Sequence, residues 1–262
     1  MWLVIDIGNT RLKWGLTAGD GAWQDVGALP LAGLTEAALA EAFAGLPAPL
    51  ACIGACVAGG ERQAWVGALI EARWGQPVQW LRSTVAAAGI RNAYAYPERL
   101  GVDRWAAVAG AWHLAPQPAV VVCAGTATTV DLLLPAGPDE SKGMQAVFQG
   151  GYILPGLDLM RAALAGETAQ LPLAAGDLHA VPRLTDDAIV SGCLWAQAGA
   201  IARLLRELPA TGGRLWLTGG GAPRLLPALQ DVLATVPGAP LPTLRETLIL
   251  DGLLALAGRA TA

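Results

Sequence analysis

Charged, histidine and cysteine side chains are scarce in this chain. Only 15% of its 262 residues are charged, and it holds two histidines and four cysteines. His113 and His179 are too few for a histidine-rich metal centre. No Ser/His/Asp constellation is legible either, which removes much of hydrolase chemistry. Cys52, Cys56, Cys123 and Cys193 match no zinc spacing, and Cys52 and Cys56 lie in ACIGACV, a buried-strand pattern in which thiols act as small apolar groups. The formal net charge is -4, so a broad positive surface for nucleic acid is not expected. Gly, Pro or charge interrupts the apolar runs before the roughly 20 residues a bilayer requires. The first apolar run has no basic start and is broken by Asp6, unlike a signal peptide, so a cytoplasmic location is the expectation. Two common phosphate-binding signatures are also missing: G-x-x-x-x-G-K-[ST], and G-x-G-x-x-G with an acidic partner.

What the chain does have is apolar residues, 54% of the total, arranged in alternating strand and helix patterns. Strands are expected at 2–6, 11–16, 50–57, 78–81, 119–123, 128–134, 146–153 and 214–218. They are rich in Val, Ile and Trp and bounded by Gly, Pro or Asn. Helices are expected at 36–44, 61–73, 102–114, 157–165, 186–208 and 223–234, with Thr35 capping the first and Gly45 ending it. Such alternation predicts an α/β fold with helices packed on sheets.

Two stretches are alike: LVIDIGNTRLKWGL at 3–16 and VVVCAGTATTVDLL at 120–133. Each runs an apolar strand into a glycine turn and out along a second strand, about half a chain length apart. The pairing suggests two similarly built halves, 1–116 and 117–262, parted near the APQP segment. Segment 135–142 reads as a hairpin loop. Glycine in such turns lets backbone N–H groups approach an anion. In the first turn Gly8 gives close approach, Asn9 and Thr10 add donors, Lys13 adds a positive charge, and Asp6 can hold magnesium through water. In the second, Gly125 and Thr126 repeat the geometry and Thr128 and Thr129 add hydroxyls. A third glycine cluster, LTGGGA at 217–222, follows a strand and precedes a helix, where it could line a base or ribose. Taken singly, each turn also reads as an ordinary hairpin.

Asp103 and Arg104 fall where a loop becomes a helix. One reading is an acidic residue favoured by the helix dipole, with Arg104 in a surface ion pair. The other is a proton acceptor for a substrate hydroxyl beside a cation for a substrate anion. In FQGGYILPG the double glycine, Gly150–Gly151, fits either close ligand packing or a β-bulge.

Together these motifs resemble the type III pantothenate kinases, of the actin, sugar kinase and Hsp70 ATPase superfamily. The markers are DIGNTRLKWG (6–15), Y-x-x-P-x-x-L-G-x-D-R (94–104), GTATTVD (125–131), GGYILPG (150–156), L-x-x-x-T-A-x-L-P (164–172) and T-x-x-A-I-x-S-G (185–192). The match runs essentially end to end. The turns are superfamily-wide, whereas the 94–104 run combined with GGYILPG is specific to the family. The resemblance implies two actin-like (ribonuclease H-like) lobes with a nucleotide cleft between them, and a homodimer. It implies ATP-dependent phosphorylation of pantothenate to 4′-phosphopantothenate, the first step toward coenzyme A, with magnesium. By the same resemblance Asp103 is the general base. Asp6, Ile7, Gly8, Asn9, Thr10, Arg11, Leu12 and Lys13 hold ATP phosphates, and Gly125 and Thr126 contact ATP. Tyr94, Gly101, Val102, Asp103, Arg104 and Thr185 contact pantothenate, Thr185 from either subunit. One position departs from the pattern. Many members carry Asp at Cys123, linked to a monovalent cation (potassium or ammonium), and a neutral thiol is a poor ligand for a hard cation. The expectation is an active kinase with altered cation dependence, set against two alternatives: a non-catalytic accessory protein on the same scaffold, or another small-molecule kinase.

Overall fold

The computed structural model describes residues 1–19, 21–137, 143–168, 171 and 173–258. Its chain divides into two units: Met1–Pro116 with Lys142–Gln145 and Thr247–Ala262, and Gln117–Ser141 with Ala146–Glu246.

The first unit opens with the antiparallel strands β1 (Trp2–Ile7), β2 (Arg11–Thr17) and β3 (Trp23–Pro30). After α1 (Glu36–Ala42), β4 (Ala51–Cys56) lies parallel to β1, and beyond α2 (Gly60–Trp74) the short β5 (Val78–Trp80) lies parallel to β4. The sheet order is β3-β2-β1-β4-β5. A small hairpin, β6 (Ala86–Ala87) and β7 (Ile90–Asn92), and a 3-10 turn at Pro97–Arg99 lead into α3 (Val102–Leu114). Thr35 caps α1 as expected, its hydroxyl accepting from the Ala38 N–H at 3.2 Å.

The second unit repeats this plan. β8 (Ala119–Ala124), β9 (Ala127–Pro135) and β10 (Ala146–Pro155) form an antiparallel run. After α4 (Leu157–Glu167) and α5 (Thr185–Leu205), β11 (Arg214–Thr218) lies parallel to β8, and after α6 (Ala222–Leu233) β12 (Pro242–Leu244) lies parallel to β11. The order β10-β9-β8-β11-β12 is that of the first unit, element for element. Residues 138–142 of the expected 135–142 hairpin loop lie outside the described residues, as does part of the 164–172 motif. α7 (Leu248–Leu256) closes the chain and belongs to the first unit, not to the second as a single division at 116/117 would have it. The reason is local. A Cβ on Gly252 would lie 1.7 Å from the Ala106 carbonyl oxygen, and one on Gly110 would lie 2.3 Å from that of Leu248. α3 and α7 therefore touch backbone to backbone, which only glycine permits.

Strand alternation sorts the side chains of β1. Leu3, Ile5 and Ile7 pack with Leu39, Val66 and Ile70 of α1 and α2. Val4 packs with Ile53, Ala55, Val102 and Ala106, under α3 and α7. With a period of two, Asp6 shares the α3 face with Val4. In the second unit Val120, Val122 and Ala124 pack with α5 and α6, so Cys123 lies on the opposite face.

Among the described residues one helix, α5, is long and apolar enough by composition to cross a membrane. Its apolar window is 61% buried, and Ile189, Cys193, Leu194, Ala198 and Ile201 stand in the core of the second unit. It is a core helix, and its length reflects the sheet it covers. The four cysteines form no disulfide, and burial raises the pKa of Cys52 to about 11.

Candidate active site

The first glycine turn is closed by one backbone bond, from the Gly8 N–H to the Arg11 carbonyl at 3.0 Å. The register places Asp6 directly opposite Lys13 and beside Ala55. Ile7 and Leu12 are fully buried in the core, so only their backbone is available to a ligand. Asn9, Thr10 and Arg11 are exposed.

Asp6 is the electrostatic anomaly of this unit. It is only 5% exposed, and its Oδ1 has no hydrogen-bond partner. Burial raises its pKa to about 7 and the Asp103 carboxylate adds to the rise, while Lys13 opposes both. A buried acceptor without a donor is destabilising unless something else meets it. Among the described residues no three His, Cys, Asp or Glu side chains gather as a metal cage. A single strand-end carboxylate suits magnesium, which keeps most of its water and takes few protein ligands.

Asp103 lies in the first turn of α3, and its Oδ1 accepts the Arg104 N–H at 2.8 Å. Gly101 caps that helix, and a Cβ there would lie 2.6 Å from Asp103 Oδ1. The glycine leaves room for the carboxylate. Arg104 is 4% exposed, which excludes the surface ion pair considered from sequence. Its Nη1 donates to the Tyr94 hydroxyl at 2.6 Å, and the guanidinium carbon lies 5.6 Å from the centre of the Tyr94 ring. Tyr94 is held by Asn92, whose Oδ1 accepts the Tyr94 N–H at 3.0 Å and whose Nδ2 donates to the Thr84 carbonyl at 3.1 Å. Asn92 was not singled out from sequence, although an Asn two residues before Tyr94 is an Asx-turn signal. Tyr94, Gly101, Asp103 and Arg104 thus form one group, with Val102 below them in the core.

The second glycine turn mirrors the first. The Gly125 N–H donates to the Ala127 carbonyl at 3.0 Å, and Cys123 stands opposite Thr129. Gly125 and Thr126 are exposed. Thr128 is not available to a ligand, because it is buried and its hydroxyl donates to Gln197 Oε1 at 2.7 Å. Two helix starts rest on this turn. The Gly156 N–H, before α4, donates to the Thr126 carbonyl at 2.8 Å, and the Gly221 N–H, before α6, donates to the Ala124 carbonyl at 2.9 Å. Cβ atoms on Gly156 and Gly219 would lie 2.1 and 2.2 Å from carbonyl oxygens of the turn, so both glycines are required by contact. The double glycine at 150–151 marks a bulge: the register with β9 shifts between Phe148 and Gly150, and Gly150 has φ 110°. Thr185 is apart from these groups in sequence, the exposed first residue of α5.

The sequence profile described as type III pantothenate kinase matches residues 2–207. A protein of that name from Aromatoleum aromaticum is 44% identical over 258 residues, 98% of each chain. Among solved structures, the ROK family glucokinase of Streptomyces griseus in complex with glucose and AMPPNP superposes with TM-score 0.51 at 15% identity, covering 98% of this chain and 99% of that one. A Campylobacter jejuni protein assigned to the Baf family of transcriptional activators gives 0.56 at 20% identity, covering 98% and 97%. At those identities the two structures speak to fold alone, and the fold is that of the actin-like ATPases and sugar kinases. The profile and the high-identity relative settle the lineage: this chain belongs to the type III pantothenate kinase family.

Proposed function

We propose that this protein transfers the γ-phosphoryl group of ATP to the primary hydroxyl of pantothenate in the cytoplasm, with Asp103 as the base. The observation that carries this reading is the Asp103–Arg104–Tyr94 group at the start of α3, on the sheet face that also bears Asp6 and Lys13. Phosphoryl transfer asks a protein to align the nucleophile and offset charge on the moving group. Asp103 orients the hydroxyl and takes its proton late in transfer. Arg104, desolvated beside Tyr94, attracts the pantothenate carboxylate. Each glycine turn, 6–13 in the first unit and Gly125–Thr126 in the second, is suited to contact ATP phosphates through its N–H groups, the first with Lys13 beside it. Magnesium, held at Asp6 through water, would offset phosphate charge. A coupled assay of ATP turnover with and without pantothenate tests the reading: turnover that rises with pantothenate is expected, and turnover indifferent to it would sink the proposal.

Two finer expectations belong to this reading. Val181 and Leu184, 81% and 68% exposed beside Thr185, suit a homodimer that brings Thr185 to substrate. Light scattering should then give twice 26.8 kDa, and a monomer mass would refute it. At Cys123 the thiol is only partly buried and stands between Thr129 and Thr218 in register, with no carboxylate of its own for a hard cation. The wild-type rate should change less than about twofold on replacing sodium with potassium, and Cys123→Asp should introduce a saturable potassium activation. A strong potassium requirement in the wild type would overturn this.

A further inference from the structure

Three side chains on the two helices that start against the second glycine turn remain unused by this mechanism. Asp158 lies in the first turn of α4 and Arg224 in the first turn of α6. Arg224 Nη1 donates to Asp158 Oδ1 at 2.8 Å, and Arg161 Nη1 donates to the same oxygen at 2.9 Å. The pair bridges the two helix starts that rest on the Ala124–Thr126 carbonyls. One carboxylate shared by two guanidiniums leaves one positive charge, and neither first turn holds another acidic residue. The caps of both helices are glycines without a side-chain acceptor, so their N–H ends add to the positive potential beside the turn.

The partners differ in freedom. Arg161 is 14% exposed and also donates to the Ala174 carbonyl, so it anchors Asp158 from beneath. Arg224 is 46% exposed, and its guanidinium bonds Asp158 alone among the described residues. The two arginines hold the Asp158 carboxyl below its ordinary range, so it remains an ionised anchor. An exposed pair of this kind contributes little to stability. Its effect is to hold the Arg224 guanidinium between the first turns of α4 and α6.

We propose that Arg224, aimed by Asp158, binds the phosphate chain of the nucleoside triphosphate. The inference rests on the ATP-dependent reading above and adds a nucleotide-binding residue to it, with Asp158 as its positioning residue. Steady-state kinetics on the full chain test it. Arg224→Ala should raise the KM for ATP about tenfold, the scale of one charge-assisted hydrogen bond. The KM for pantothenate, kcat and Tm should stay unchanged. Arg224→Lys should recover part of the loss, and Asp158→Asn should raise the KM a few-fold with no further effect in the double variant. Competition separates the moieties: Arg224→Ala should weaken inhibition by ADP and leave inhibition by adenosine unaltered. An unchanged KM for ATP, an equal loss for adenosine, or both KM values and Tm moving together would overturn the inference. If the wild type lacks pantothenate-dependent turnover, the kinase reading fails instead. ADP binding followed by tryptophan fluorescence in wild type and Arg224→Ala then still decides the role of Arg224.

Discussion

Asp103→Asn is expected to lower kcat by about 10²–10⁴-fold, the usual contribution of a general base. The protein should remain folded and still bind ATP. Asparagine keeps the shape of the side chain and the oxygen that accepts the Arg104 N–H at 2.8 Å, so the first turn of α3 is retained. It loses the negative charge at a helix N-terminus, which lowers stability by roughly 0.3–1 kcal/mol. It also loses the ability to take a proton, and an amide N–H directed at the substrate hydroxyl opposes the required alignment. Pantothenate-dependent turnover and a thermal melt on the same sample separate these effects. A fall in kcat below about tenfold would leave Asp103 as the helix-dipole residue of the simpler sequence reading. A collapsed melt would point to a structural role instead.

Asp6→Asn should do two opposite things: abolish most activity and stabilise the ligand-free protein. Burial lifts the folded carboxyl from its ordinary 3.8 to about 7, so between those values the native state holds a proton that the unfolded chain releases. Native stability therefore falls as pH rises from about 4 to about 7, and the penalty stays constant above that range. Asparagine has no such titration. Its advantage over wild type should be near zero below pH 4 and reach roughly 2–4 kcal/mol above pH 7. For a chain of this size that is about 5 °C or more in melting temperature. Melts at pH 4 and pH 8 without ligand test it, and equal melting temperatures at pH 8 would show that Asp6 is solvated or paired. The activity loss follows from the same desolvation, because a carboxylate kept from water and donors is available to a hydrated cation. For the same reason the KM for ATP should fall as pH rises through 7, since the ionised form receives the cation.

Much of the architecture was legible because it is written in short-range pattern. The interval Val102–Leu114 and the strand Arg214–Thr218 were read to the residue, since Gly101 precedes and Pro116 closely follows the first, and Gly213 and Gly219 flank the second. β3 was missed. Its eight residues form an edge strand with little alternation, held by pairing to β2 and by Trp14, whose ring would meet a Cβ on Gly27 at 1.9 Å. α7 was missed for the opposite reason: LILDGLLAL is apolar nearly all round and shows no face. The site divides in the same way. The turns around Gly8 and Gly125 and the Asp103–Arg104 pair stand out in the sequence, because glycine spacing and adjacent charge are local signals. The bond of Thr128 to Gln197 across 69 residues and the meeting of Asp158 with Arg224 across 66 are not local.

By itself the sequence determined the α/β class, the two matched strand–turn–strand units and the identity of the charged residues at their ends. Each of these depends on the order of neighbours along the chain. Only the tertiary structure decided which of those residues are out of water. It turned Asp6 toward α3, left its Oδ1 without a donor and raised its pKa. It sank Arg104 against Tyr94 and set α7 on α3 through Gly110 and Gly252. Burial and long-range contact depend on how sheets and helices stack, and desolvation at those contacts sets the chemistry of a carboxylate whose place in the chain was already plain.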